Sequence, residues 1–191
     1  MEIITFVSLD KIMEEIKIHD KTFIPFITHE EIDKAVQRIA NTLYEDYKDK
    51  TPVFVGVLNG VIMFYSDLLK HYNGNCEVAF LQLASYHGLQ SSEKIDLLKD
   101  VNKDLTSRDI IIIEDIVDTG NTLDFLYKLL GDKPVKSIKM VSLFFKPEVF
   151  KKDLNIDLIG IDLPNKFVVG YGLDYSGLGR NLKDLYILKE K

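Results

Sequence analysis

The chain has a single cysteine, Cys76, in 191 residues. An intrachain disulfide and a cysteine-built metal centre are therefore ruled out, and a lone thiol suits a reducing compartment. Basic residues are not in excess: 24 Lys and Arg stand against 30 Asp and Glu, a formal net charge of −6. That balance argues against a nucleic acid partner, because duplex binding rests on clustered Lys and Arg. No apolar run reaches membrane-spanning length. The stretch Met1–Asp20 breaks its short apolar patches with acids and lysines, so it lacks the apolar core of a signal peptide. These absences predict a cytoplasmic protein without a membrane partner. There is no internal repeat, no low-complexity tract, no triphosphate P-loop and no dinucleotide fingerprint. With 46% hydrophobic and 28% charged residues, the chain is long and apolar enough for one domain that builds its core without staples.

The most informative stretch runs from Asp109 to Thr122. Ile110-Ile111-Ile112-Ile113 is a continuous β-branched run, which predicts a strand buried on both faces. Glu114 and Asp115 come next, then Asp118 opens the turn Thr119-Gly120-Asn121-Thr122. Leu123, Leu126, Tyr127 and Leu130 recur at helical spacing, so a helix starts at that turn. The N–H groups and dipole of a helix N-terminus attract a phosphate, and the two threonines can add hydroxyl donors. Glu114 and Asp115 repel a phosphate and suit a ribose diol or a cation instead. Acids at helix N-termini are common as decoration. Decoration alone does not account for three carboxylates and two threonines around one glycine.

The remaining chain alternates strands and helices. Ile16 and Ile18 fit a short strand, and Pro25 is expected to interrupt the chain after it. Thr28 and Glu31 form a capping box ahead of a helix to about Tyr47. Val53–Leu58 reads as a second buried strand, Val61–His71 as a helix, and Cys76–Ala84 as a strand. The polar stretch Ser85–Glu93 reads as a mobile lid, with Ile95–Leu98 pairing back as its second arm. Further strands are expected at Ser137–Phe145, Ile156–Ile161, Phe167–Val169 and Leu185–Leu188, and Gly131 with Pro134 stops the helix before them. This order predicts an α/β fold with a largely parallel sheet flanked by helices, whose ligand sits beyond the carboxyl ends of the strands.

Several other residues are ordinary when taken singly. Leu58-Asn59-Gly60 reads either as a plain turn or as a second anion nest. Lys146 alone is a solvated strand-end charge, and Phe167 alone is a core residue. Asp174 and Arg180 alone form a surface pair. His87 is a solvated side chain, and Cys76 a small buried hydrophobe.

Taken together, residues 28–190 resemble a purine phosphoribosyltransferase of the hypoxanthine-guanine type. Residues 110–122 resemble the family signature for phosphoribosyl pyrophosphate, and Val57-Leu58-Asn59-Gly60 resembles its pyrophosphate loop. Ser85-Tyr86 resembles the start of its catalytic loop. Ser142–Lys146 and Lys166–Tyr175 resemble its purine-binding segments, with Arg180 at the expected distance. The resemblance implies a single Rossmann-like phosphoribosyltransferase domain over 1–191, with a hood built from parts of 1–27 and 150–191. It implies Mg²⁺-dependent transfer of the phosphoribosyl group to N9 of hypoxanthine or guanine, giving inosine or guanosine monophosphate and pyrophosphate. Glu114 and Asp115 would hold the ribose hydroxyls, Asp118 would be the acid/base at purine N7, and Thr119, Gly120, Asn121 and Thr122 would cradle the 5′-phosphate. Lys146 would donate to the 6-oxo group, Phe167 would stack on the ring and Val168 would meet the purine edge. Arg180 would meet the pyrophosphate, while Asp174, with Glu114 and Asp115, would hold magnesium. The assembly implied is a homodimer or homotetramer. Asn59 departs from the lysine that many members carry there. Xanthine remains a competing base, and a non-catalytic sensor of the activated sugar a competing role.

Overall fold

Along strand β6 (Asp109–Val117) the isoleucines divide between two cores. Ile111 and Ile113 pack with helices α1 (His29–Tyr47) and α2 (Ile62–His71), and Ile110 and Ile112 pack with helix α3 (Asn121–Gly131). All four are fully buried, each worth about 1.5–3 kcal/mol relative to exposure. The strand is thus the central layer of a sandwich with helices on both faces. This arrangement comes from a computed structural model of the chain, which describes residues 14–86 and 94–190.

The main sheet has six strands. To β3 (Val53–Leu58), β4 (Glu77–Tyr86), β5 (Lys94–Lys99) and β6 it adds β7 (Ser137–Phe145) and β8 (Leu158–Asp162), in the order β5-β4-β3-β6-β7-β8. Only β5 runs antiparallel to its neighbour. From β3 the chain moves outward through α2 to β4. From β6 it moves the opposite way through α3 to β7. The strand order therefore reverses between β3 and β6, and a crevice opens at their carboxyl ends. The β3–β6 pairing stops at Gly56↔Ile113, whereas β6 continues against β7 to Val117↔Phe145. Glu114 and Asp115 are consequently inside the strand rather than after it, at the point where its β3 side falls open.

The α1 capping box is present. Thr28 Oγ1 accepts from the Glu31 amide, and the Glu31 carboxylate accepts from the Thr28 amide at 2.9 Å. Losing such a cap costs about 1 kcal/mol. The buried Asp184 carboxylate adds a bond from the His29 amide at 2.8 Å, which ties α1 to a second sheet. That sheet has the order β1-β2-β10-β9, from β1 (Ile16–Ile18), β2 (Lys21–Ile27), β9 (Val168–Val169) and β10 (Leu185–Leu188).

Pro25 does not interrupt the chain as expected. It lies within β2, opposite Tyr186 and beside the register shift at Leu185/Tyr186. The β1 partner of β2 reaches only to Phe23, so Pro25 lies beyond the β1 ladder, where its missing N–H leaves no gap. Other boundaries move by a residue or two, as at β4 and β8.

Candidate active site

The crevice at the strand reversal is a cleft of about 280 Å³ lined by Ile95 and residues 114–123. The predicted acidic turn therefore forms one continuous wall, from the end of β6 into the first turn of α3. Gly120 is the N-cap of α3 and gives it no side-chain cap. The first-turn N–H groups are those a bound anion can satisfy. Glycine is needed there twice over. Its φ is +86°, and a Cβ would lie 2.6 Å from Phe150 Cε2 and 2.8 Å from Lys152 Cγ. Thr119 is exposed, and Asn121 and Thr122 are half-buried.

The acid pair is the electrostatic extreme of the site. Glu114 is only 7% exposed, and its buried Oε2 has no hydrogen-bond partner. Burial, helped by the neighbouring Asp115 charge, raises its carboxyl well above the ordinary range. Asp115 is pushed up to about 6 by burial, against the lowering pull of the Ile116 amide and of Arg180. The Ile116 amide donates to Asp115 Oδ1 at 2.8 Å. Hard carboxylate oxygens with an orphaned member form a donor set that suits a small divalent cation. Among the described residues, no group of three or more His, Cys, Asp or Glu forms a ready-made metal cluster.

Lys146 is not the solvated charge it suggests when taken alone. It is 7% exposed, and its Nζ lies 2.9 Å from Asp118 Oδ2. β7 runs beside β6 and ends with it, and the Lys146 amide donates to Val117 O at 3.0 Å. Two predicted site residues, 28 apart in sequence, thus meet directly.

Leu58, Asn59 and Gly60 leave β3 through a cis Leu58–Asn59 peptide. The Gln82 amide group lies 3.5 Å from Asn59 Oδ1. Gly60 lies against Asp115 so closely that a Cβ would fall 1.6 Å from Asp115 Oδ2. From the other side Gly172 presses on Gly60, where a Cβ would fall 2.0 Å from Gly60 O. Asp174 and Arg180 are paired at 2.5 Å, and Arg180 Nη1 donates to Gly172 O at 2.7 Å. The Gly177 amide donates to the other Asp174 oxygen at 2.7 Å. The predicted pair therefore belongs to a constructed loop whose charges reach Asp115.

Phe167 is 45% exposed, not the core residue it suggests when taken alone. Its ring meets Phe23 and Tyr175 at centroid distances of 6.2 and 5.7 Å. Val168 is buried and pairs with Ile187. Val168 stands in the second sheet and Phe167 just before its β9 strand, both apart from the contacts that join 114–122 to Gly60, Lys146 and Arg180. Ser85 and Tyr86 end β4 and pair in register with Ile95 and Lys94, so 95–98 is the second arm, as expected. The lid proper, with His87, falls outside the described residues. Two residues at the site carry little signal in the sequence. Ile95 reads there only as part of a hairpin arm, and Gly172 only as one member of a glycine-rich segment.

A model of the phosphoribosyl transferase domain matches residues 27–176. The hypoxanthine-guanine phosphoribosyltransferase of Bacillus subtilis is 42% identical over 164 residues, covering 85% of this chain and 91% of that protein. That of Streptococcus agalactiae serotype V is 41% identical, covering 86% and 92%. Among solved structures, a hypoxanthine phosphoribosyltransferase from Staphylococcus aureus aligns with a TM-score of 0.82 at 37% identity, covering 86% of this chain and 90% of that one. The Trypanosoma cruzi hypoxanthine phosphoribosyl transferase, whose C-terminal region was studied for its role in oligomeric state and enzymatic activity, aligns with a TM-score of 0.82 at 31% identity, covering 91% and 95%.

The raised Asp115 carboxyl has a thermodynamic consequence. The folded state holds this proton up to about pH 6, the unfolded state only to its ordinary value of 3.8. Folding stability therefore falls as pH rises through that window, and the loss persists above it. Asp115→Asn should be more stable than the parent at pH 7–8 in metal-free buffer, with the gap closing toward pH 4. Thermal melts at several pH values measure this, and a gap that does not depend on pH would contradict it.

Proposed function

The chain belongs to the hypoxanthine-guanine phosphoribosyltransferase family and is a phosphoribosyltransferase, and we propose that it transfers the 5-phosphoribosyl group from phosphoribosyl pyrophosphate to N9 of hypoxanthine or guanine. The observation that carries this reading is one wall of the cleft, where an uncapped helix N-terminus adjoins the acid pair of buried Glu114 and half-buried Asp115 and the Lys146–Asp118 contact. The α3 N-terminus, through Thr119, Gly120, Asn121 and Thr122, takes the 5′-phosphate. Glu114 and Asp115 accept from the ribose hydroxyls. The amides of Leu58, Asn59 and Gly60, with Arg180, take the pyrophosphate.

The base is selected by complementarity. Lys146 beside Asp118 presents a donor next to an acceptor. A 6-oxopurine edge offers the converse, an O6 acceptor next to an N7–H donor. Phe167 offers an exposed ring for stacking, and Val168 meets the purine edge through its backbone.

In the reaction the C1′–O bond to pyrophosphate breaks as N9 bonds to C1′, and Asp118 takes the proton shed at N7. Positive charge grows on the ribose, where Glu114 and Asp115 favour it, and negative charge grows on the pyrophosphate, where Arg180 and the loop amides favour it. Mg²⁺ suits the hard oxygens of Glu114, with its partnerless buried Oε2, and Asp115, which would hold it, with Asp174 joining them on release from its Arg180 and Gly177 contacts. When bound, the ion neutralises pyrophosphate charge.

The hood over this site is the sheet from parts of 1–27 and 150–191. No helix among the described residues is long and apolar enough to cross a membrane. A cytoplasmic setting is in keeping with the lone thiol. A homodimer or homotetramer is in keeping with the exposed apolar side chains Ile62, Val78 and Leu98.

Asp118→Asn should lower kcat by on the order of 10²–10⁴ while leaving the KM for both substrates near the parent value. Unchanged turnover would remove Asp118 from the chemistry. A panel of hypoxanthine, guanine, xanthine and adenine should show 6-oxopurines turned over and adenine rejected, because an ammonium cannot accept from a 6-amino group. Preference for adenine would refute the Lys146 assignment. Chelation with EDTA should abolish product formation and added Mg²⁺ should restore it, whereas full activity in EDTA would exclude the ion.

A further inference from the structure

Asp67 on α2 and Tyr171, three residues before Asp174, make a contact that the roles above do not use. The Tyr171 hydroxyl donates to Asp67 Oδ2 at 2.6 Å. Tyr171 is fully buried, and its ring belongs to the same core as Val61, Phe64 and Leu68 of the α2 region. It reaches there from an unusual backbone. Its φ is +46°, between Gly170 at +105° and Gly172 at +98°. Glycine adopts that region freely. A tyrosine there is a strained outlier, which persists only when its surroundings over-determine it, and such outliers cluster at functional sites.

The residue after Tyr171 shows what the contact controls. Gly172 is pressed onto Gly60 O, and Gly60 is pressed onto Asp115. The Gly172 amide donates to Arg180 O at 3.0 Å, and Gly172 O accepts from Arg180 Nη1 at 2.7 Å. Turn 58–60, Asp115 and Arg180 are thus all registered against one dipeptide, Tyr171-Gly172, whose side-chain anchor to α2 is the Asp67 hydrogen bond. Asp67 is built for the task. Lys70 pairs with its other oxygen at 2.8 Å, and its carboxyl lies below the ordinary range because the bonds from Lys70 and Tyr171 outweigh its burial.

We propose that Asp67 and Tyr171 are a positioning pair, whose hydrogen bond clamps the 170–180 loop onto α2 and sets the spacing between turn 58–60 and Arg180 that grips the pyrophosphate of the activated sugar. This rests on the reading that those groups receive the pyrophosphate. The pair touches no substrate and acts through Gly172.

The experiment compares Tyr171→Phe, Asp67→Ala and Asp67→Asn in the full chain, with Arg180→Lys as reference. Steady-state kinetics are measured for both substrates, pyrophosphate binding by calorimetry and folded fraction by circular dichroism. Tyr171→Phe and Asp67→Ala should each raise the KM for phosphoribosyl pyrophosphate, and the Kd for pyrophosphate, by on the order of 10-fold, with the hypoxanthine KM unchanged. Asp67→Asn keeps an oxygen acceptor for Tyr171 and should recover most of the affinity. The double variant Y171F/D67A should be little worse than either single one. The Asp67 variants report on the pair even if Tyr171→Phe unfolds. The proposal is overturned by an unchanged KM for the activated sugar, or by a rise shared equally with hypoxanthine or explained by lost folded protein. If Arg180→Lys weakens pyrophosphate binding and the Asp67 and Tyr171 variants do not, the pair fails and the pyrophosphate assignment stands. If none of them weakens it, both fail.

Discussion

The site depends on holding two adjacent carboxylates, buried Glu114 and half-buried Asp115, at the open end of a buried strand. Burial alone disfavours their charge, and the two charges disfavour each other. The four isoleucines before them, packed against helices on both faces, hold the strand in place against that cost. Sheet topology then supplies the opening. The strand order reverses between β3 and β6, and β3 ends its pairing one residue before the acids begin. Glu114 Oε2 is left without a protein partner; on the proposed reading, a ribose diol or a cation supplies one.

Around the acids, the absence of side chains matters as much as their presence. Gly60 lies between Asp115 and Gly172, with no room for a Cβ on either glycine. This stack joins the turn after β3, the acid pair and the loop carrying Asp174 and Arg180. The second sheet is therefore joined to the site rather than separate from it. Through Tyr171 and Gly172 it bears on the same atoms that the main sheet positions, and Asp184 fastens it again at the start of α1.

The Lys146–Asp118 contact obeys a different logic, that of paired opposites. Lys146 and Asp118 neutralise each other across neighbouring strand ends and together present a donor beside an acceptor. On the proposed reading, a 6-oxopurine edge is the converse of this pair, and a 6-amino edge leaves it unmatched.

Much of this was legible in the sequence where the signal is local. The isoleucine run marked a strand buried on both faces, Thr28 and Glu31 marked the start of α1, and the turn at 118–122 marked the start of α3. These arise from backbone propensity, side-chain periodicity and helix-end electrostatics, which act over a few residues. Lys146, Phe167, Asp174 and Arg180 were unremarkable singly and gained meaning only from a resemblance. Pro25 misled, because its tolerance in β2 depends on how far β1 extends. Which groups meet was decided by tertiary structure alone. Gly60 against Gly172, Tyr171 on Asp67 and the isolation of Glu114 Oε2 all depend on parallel-sheet crossover and core packing, which bring together residues far apart in the chain, and no local pattern encodes such distances. By itself the sequence determined that three carboxylates, a glycine and a helix N-terminus would gather at the end of β6. The tertiary structure decided how dry that site is, what presses on it and which opposite charge stands within reach.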